Sequence, residues 1–320
     1  AQAKWDKKRK DGYTQDITKV KDKKFYEPML AQNYEDRKSE FKYPCYAQPK
    51  LDGIRCIIRK EGDEVVARTR NGRVIETIPH VISGLFRLFL TYPNSILDGE
   101  LYNHELKDDF NKIVSLVRKQ KPVRLDSDTD ESFKKKEESF TEALEDSKKY
   151  IQYWIYDAPK IADANEDMLF SIRFAHLSGQ LVDAKYVVQV PTYEVLKEEY
   201  LTAIYQNQLD EGFEGQIVRV DAGYENKRSK NLLKRKEFQD SEYLVLDIEE
   251  GDGNRTGTAK HLVCKDEKTG KTFNSNIKGN FAYLKEILDN RDDYIGKYAT
   301  IKYFELTPDG IPRFPYAMSF

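Results

Sequence analysis

The segment Pro49-Lys50-Leu51-Asp52-Gly53-Ile54-Arg55 sets a lysine at the head of a tight Asp-Gly turn, with an arginine five residues on. Leu97-Asp98-Gly99-Glu100, Tyr156-Asp157, Glu214-Gly215-Gln216-Ile217-Val218-Arg219 and Leu233-Lys234-Arg235-Lys236 follow in that order. Each segment alone is short enough to arise by chance. Together, a lysine, an arginine, a carboxylate, an aromatic, a second carboxylate and two lysines come in the order a nucleotide-transfer pocket would use them. A lysine amine attacks phosphorus only when deprotonated, and a reference pKa of about 10.4 leaves it mostly charged at neutral pH. Neighbouring cations and partial desolvation lower that value, and Lys234, Lys236 and a bound divalent cation would supply the positive field around Lys50. Those two lysines alternate along one predicted strand, so both ammonium groups face the same way and repel unless an anion lies between them. Arg55 leaves the turn on a strand, and its planar fork suits a ribose hydroxyl or a phosphate.

This ordered set resembles the covalent nucleotidyltransferases, and most closely the ATP-dependent DNA ligases. The lysine motif of that superfamily, Lys-x-Asp-Gly-x-Arg, is matched at every fixed position by Lys50 to Arg55, and the resemblance covers nearly the whole chain from about Pro28 onward. It implies that Lys50 is the nucleophile that becomes AMP-lysine, and that Arg55 contacts the nucleotide. Glu100 would reach the ribose, Tyr156 stack on the base, and Lys234 and Lys236 meet the phosphates. Glu214 matches the carboxylate of the family's Glu-Gly-x-x-x-Arg motif and would hold Mg2+ through water. Thr69-Arg70-Asn71-Gly72 resembles a Ser-Arg-x-Gly segment, which makes Arg70 the candidate for the 5′-phosphate at a nick. The implied cofactors are ATP and Mg2+. The implied substrate is nicked duplex DNA, sealed in three steps: lysine adenylation, AMP transfer to the 5′-phosphate, and displacement of AMP by the 3′-hydroxyl.

The chain departs from the family pattern at two places. Gln48 stands where many DNA ligases have a glutamate that accepts from the adenine amino group. A glutamine accepts through its oxygen but also donates toward a guanine oxygen, which keeps an mRNA-capping guanylyltransferase, or an RNA ligase, as the alternative. Pro312-Arg313-Phe314-Pro315 resembles the approach to a C-terminal basic motif that orients pyrophosphate, and the sequence stops at Phe320. Without that motif, self-adenylation is expected to be slow while sealing of an already activated nick survives. A nucleic-acid-binding scaffold with a decayed pocket is a further alternative. It would have lost at least one of Lys50, Glu100, Glu214, Lys234 and Lys236, and all are present. An NAD-dependent ligase would need additional N-terminal and zinc modules.

At 320 residues the chain has room for two cores. Charged residues make up 34% and apolar ones 39%, and no apolar run approaches the ~20 residues of a membrane span. There is no signal-peptide pattern, and a start at Ala1 rather than Met suggests a processed chain. Three separated cysteines fit an intracellular reducing compartment, and the four scattered histidines read as surface or hydrogen-bonded residues. A net charge of −2 does not advertise a nucleic-acid binder. Local basic stretches at Lys4–Lys24 and Lys227–Lys236 would still neutralise phosphates. A monomer with no membrane partner is expected.

The elements that must position these residues are a basic extension over 1–27, a nucleotidyltransferase (adenylation) domain over 28–239 and an OB-fold barrel over 240–320. The fold class is α+β, with antiparallel sheets flanked by helices. Arg55–Lys60 and Glu64–Arg70 alternate as a hairpin. Thr77–Leu90, Phe110–Arg118, Glu166–Gln180 and Thr192–Asp210 have helical spacing. Residues 119–149 form a charged insertion expected to be helix-rich or mobile. After Phe238, short strands at regular spacing, interrupted by a helix at Phe281–Asp289, suggest a small barrel.

Overall fold

The computed structural model describes residues 25–125, 127–181, 185–236, 238–304, 306–307 and 309–320, so the basic stretch Lys4–Lys24 lies outside the described residues. The chain begins with β1 (Leu30–Asn33), β2 (Cys45–Lys50), β3 (Ile54–Glu61) and β4 (Glu64–Thr69). The last two form the expected hairpin, with Glu61 opposite Glu64 and Gly62 at φ 64° in the turn. Two short helices, α1 (Pro79–Gly84) and α2 (Phe86–Thr91), replace the single helix expected over Thr77–Leu90. Apolar spacing runs through both. A Cβ on Gly84 would lie 2.5 Å from the Lys185 carbonyl, so that loop presses on the helix, and the chain turns at Leu85 with φ −94° and ψ 0°.

Next come β5 (Ile96–Tyr102), α3 (Phe110–Val117) and α4 (Asp130–Tyr150). Helix α4 fills much of the charged insertion. The Thr129 side chain accepts from the Ser132 N–H, Asp130 and Glu131 sit in the first turn, and Lys148 and Lys149 sit in the last. The helix dipole favours that distribution. The chain continues through β6 (Gln152–Lys160), α5 (Phe170–Gln180), β7 (Val187–Gln189), β8 (Tyr193–Val195), α6 (Glu198–Asp210), β9 (Gly215–Val220) and β10 (Arg228–Arg235). The helix expected from Thr192 starts at Glu198, because Tyr193–Val195 are drawn into pairing with β2, with Val195 opposite Cys45. Helix α5 starts at Phe170 rather than Glu166, whose carbonyl accepts from the Tyr224 N–H.

Two five-stranded sheets result, ordered β1-β10-β9-β2-β8 and β4-β3-β5-β6-β7. They are antiparallel except at one edge of each, where β1 runs parallel to β10 and β7 parallel to β6. Side chains alternate across a strand, and β2 uses this. Cys45 and Ala47 are buried with Val195, Leu201, Val218 and Leu233 in one apolar cluster, while Gln48 and Lys50 belong to the other face. The larger core lies between the second sheet and α1 to α3, around Ile58, Leu85, Leu97 and Ile113.

The chain divides into one compact unit up to Arg235 and a second from Lys236. The second unit is a closed barrel of β11 (Gln239–Glu250), β12 (Ala259–Lys265), β13 (Thr272–Asn276), β14 (Tyr298–Tyr303) and β15 (Tyr316–Ser319), with α7 (Phe281–Asp289) between β13 and β14. The long β11 pairs with β14 through its first half and β12 through its second, which lets five strands close. Val245, Leu262, Ile287 and Ile301 fill the interior. The expected α+β fold with a C-terminal barrel is met. Strand β10 ends at Arg235, so Lys234 and Lys236 do not alternate on one strand. Lys236 belongs to the barrel unit, its Nζ 4.1 Å from the centre of the Phe304 ring.

Gly53 is required by close approach: a Cβ there would lie 2.4 Å from the Leu101 carbonyl and 2.8 Å from Glu100 Cγ on β5. Gly53→Ala should therefore lower stability by about 1–3 kcal/mol, read as a shift in the denaturant midpoint at unchanged slope.

Candidate functional site between the two sheets

A cavity of about 290 Å³ brings together Gln48, Lys50, Arg55, Arg70, Glu100, Tyr156 and Lys234. Strands β2 and β10 of the first sheet supply Gln48, Lys50 and Lys234. Strands β3, β5 and β6 of the second supply Arg55, Glu100 and Tyr156. Arg70 stands in the turn after β4, whose Gly72 has φ 82° and carries the Phe25 ring against its backbone.

Lys50 ends β2 opposite Gly215. Its carbonyl accepts from the Glu214 N–H at 3.1 Å, and its Nζ donates to the Glu214 carboxylate. The lysine side chain is 20% exposed and the glutamate 7%, so the lysine is partly open and has a nearly buried carboxylate beside its amine. No group of three or more histidine, cysteine, aspartate or glutamate side chains that could hold a metal occurs among the described residues. Magnesium rarely needs one, being held through one or two carboxylates and substrate phosphates, and Glu214 fits that use.

Arg55 is held by Asp98, with Nε donating to Oδ1 at 2.9 Å. Burial works against its charge, but Asp98 beside it holds the guanidinium well above its usual value. The Tyr224 hydroxyl also donates to Asp98 Oδ2 at 2.7 Å. Asp157, with no exposed side-chain surface, accepts from Arg173 at 3.0 and 2.9 Å and from Arg219 at 2.8 Å. Asp98 and Asp157 face each other across β5 and β6, where the register shifts: Asp98 pairs with Asp157, but Gly99 pairs with Ile155. Tyr156 is the extra residue. Such bulges redirect side chains beside functional sites, and here two chain neighbours meet one group. The Arg219 guanidinium lies 5.4 Å from the centre of the Tyr156 ring while bonding Asp157. Arg55 lies 5.2 Å from the same ring, whose hydroxyl is pushed well above its usual range by burial.

Glu100 sits opposite Arg55 on β3, and the Tyr156 hydroxyl donates to it at 3.4 Å. Burial pushes its carboxyl up to about 8, against the pull of Arg55 and Lys50. Gln48 is 1% exposed and fully engaged in donation: Nε2 donates to the Tyr156 carbonyl at 3.0 Å and to Thr192 Oγ1 at 2.8 Å, while Oε1 accepts from Arg219 Nε at 2.6 Å. Arg219, Asp157, Asp98 and Arg173 were not among the predicted site residues. The first three stood within the motifs, where a charged residue next to a strand signature was the available signal; Arg173 carried none. In the other basic stretch, Lys227 pairs with Glu225 at 2.9 Å and Arg228 donates to the Ala31 carbonyl at 2.6 Å.

Residues 28–236 match the family model described as ATP dependent DNA ligase domain, and residues 250–320 match DNA ligase OB-like domain. The DNA ligase of Enterobacteria phage T4 is 26% identical over 313 residues, covering 84% of this chain and 62% of its own length. That of African swine fever virus (isolate Tick/South Africa/Pretoriuskop Pr4/1996) is 24% identical over 289 residues, covering 85% and 62%. The chain thus spans about three fifths of the length of these curated relatives. A solved structure from a study of DNA binding with a minimal scaffold in Lig E DNA ligases superposes with TM-score 0.69 at 20% identity, over 92% of this chain and 98% of that one.

Asp157→Asn leaves Arg173 and Arg219 buried without their counter-charge, and should cost about 3–5 kcal/mol of unfolding free energy in chemical denaturation. Glu100 contributes stability that is full below its ordinary pKa of 4.5 and is lost as pH rises through about 8. The difference in unfolding free energy between wild type and Glu100→Gln should therefore fall steadily across that window.

Proposed function

The chain belongs to the ATP-dependent DNA ligase family, and from that premise we propose that it seals 5′-phosphate/3′-hydroxyl nicks in duplex DNA through an AMP-lysine formed on Lys50. The observation that carries this reading is the convergence of Lys50, Arg55, Glu100, Tyr156, Lys234 and Arg70 on one cavity from two sheets. The Lys50 amine attacks the α-phosphate of ATP; a P–N bond forms and pyrophosphate leaves. Glu214, in contact with that amine, is placed to take its proton. Lys234 faces the phosphates, and Tyr156 and Glu100 hold the nucleoside. AMP then passes to the 5′-phosphate of the nick, which Arg70 meets at the cavity rim, and the 3′-hydroxyl displaces AMP. Glu214 is the residue that would hold a magnesium ion, through water, and such an ion would supply neutralising charge for the phosphates. Positioning and fixed charge carry such a reaction.

The test is label transfer. With Mg2+ and α-labelled ATP, the protein should carry label through denaturing electrophoresis, and Lys50→Ala should carry none; label on the mutant would overturn the assignment. Arg70→Ala should leave self-labelling unchanged but raise the nicked-DNA concentration for half-maximal sealing roughly tenfold.

A further inference from the structure

The donors and acceptors around Gln48 permit one orientation of its amide. Arg219 has only donors, so the atom it meets at 2.6 Å must be the Gln48 oxygen. The Tyr156 carbonyl has only lone pairs, so the atom 3.0 Å from it must be the nitrogen. Thr192 gives the same answer. Its hydroxyl proton is donated to the Val190 carbonyl at 2.9 Å, so toward Gln48, at 2.8 Å, it accepts. A flipped amide would set donor against donor at Arg219 and acceptor against acceptor at Tyr156. Both amide hydrogens are consumed, and one lone pair of Oε1 is left.

Gln48 lines the cavity with Lys50, two residues away on the same face of β2, and with the Tyr156 ring. We propose that Arg219 is a specificity-determining positioning residue: by fixing the Gln48 amide it turns a side chain able to read either purine into a pure acceptor, selecting the 6-amino group of adenine over the 6-carbonyl of guanine. The two bases differ there as donor and acceptor, and an acceptor facing the guanine oxygen leaves both unpaired. The inference rests on the nucleotide reading of this cavity and names what sets its base.

The experiment is the ratio of self-labelling from α-labelled ATP and α-labelled GTP. Wild type should favour ATP. Arg219→Gln replaces a pure donor by a group that both donates and accepts, which removes the donor-against-donor clash of a turned Gln48 amide and leaves only the Tyr156 and Thr192 contacts to oppose it, so the ATP preference should fall roughly tenfold. Gln48→Glu in the Arg219→Gln background supplies an acceptor that needs no orientation and should restore the preference, which a merely structural role for Arg219 would not do. Thr192→Val frees one amide hydrogen away from Asp157 and should lower the preference roughly threefold, keeping the inference falsifiable if Arg219→Gln fails to fold. An unchanged ratio in Thr192→Val or Arg219→Gln, or no restoration in the double variant, overturns the inference alone. A wild type labelled by neither nucleotide overturns the ligase reading and this inference with it.

Discussion

A carboxylate taken wholly out of water must be met by groups that replace its hydration, and this requirement organises the first unit. Asp157 is met by Arg173 from α5, Arg219 from β9 and the Ala158 N–H at 2.8 Å. These partners come from both sheets and a flanking helix, so satisfying one carboxylate fixes their relative placement. Asp98, opposite it, does the same for Arg55 and for Tyr224, whose oxygen in turn accepts from the Met29 N–H at 2.8 Å. The cavity-lining Arg55 and Arg219 are therefore anchored in a lattice of buried charge in which two aspartates meet three arginines.

That lattice separates two kinds of cation. Arg55, Arg173 and Arg219 are bound to aspartates and shape the pocket, with the Arg55 and Arg219 guanidinium carbons 5.2 and 5.4 Å from the centre of the Tyr156 ring. Lys50 and Lys234 lie along the cavity wall, where a polyphosphate would be met, and Arg70 lines the same cavity for the phosphate of the nick on the proposed reading. A planar guanidinium suits the first role because its fork matches a carboxylate, and a lysine suits the second because its charge is compact and its amine is a nucleophile when deprotonated.

The parts of this arrangement that follow local rules were legible in the chain. The Asp-Gly turn after Lys50, the β3–β4 hairpin, the barrel strands and α7 all announce themselves through turn residues and periodicity. What escaped depends on contacts distant in sequence. The Lys185 carbonyl against Gly84 splits a helix whose apolar spacing is continuous. The bulge at Tyr156 has no periodic signature, since one inserted residue in β6 is visible only against its partner β5. Gln48 looked free to read either base because its three partners, at 156, 192 and 219, are all far along the chain. Lys234 and Lys236 looked like a pair because spacing alone does not reveal that a strand stops between them.

The parallel pairing of β1 with β10 bears on how the molecule is made. Arg228 and the Ala31 carbonyl to which it donates are separated by 197 positions, and Leu30, Ala31 and Arg228 all line the cavity. Closing so long a loop is slow compared with forming hairpins such as β3–β4. On a ribosome this wall stays open until β10 has emerged, well after Lys50 and Glu100 have been synthesised. On the proposed function, nucleotide capture would then be a late event of biosynthesis, withheld from partly made chains although Lys50 is already present.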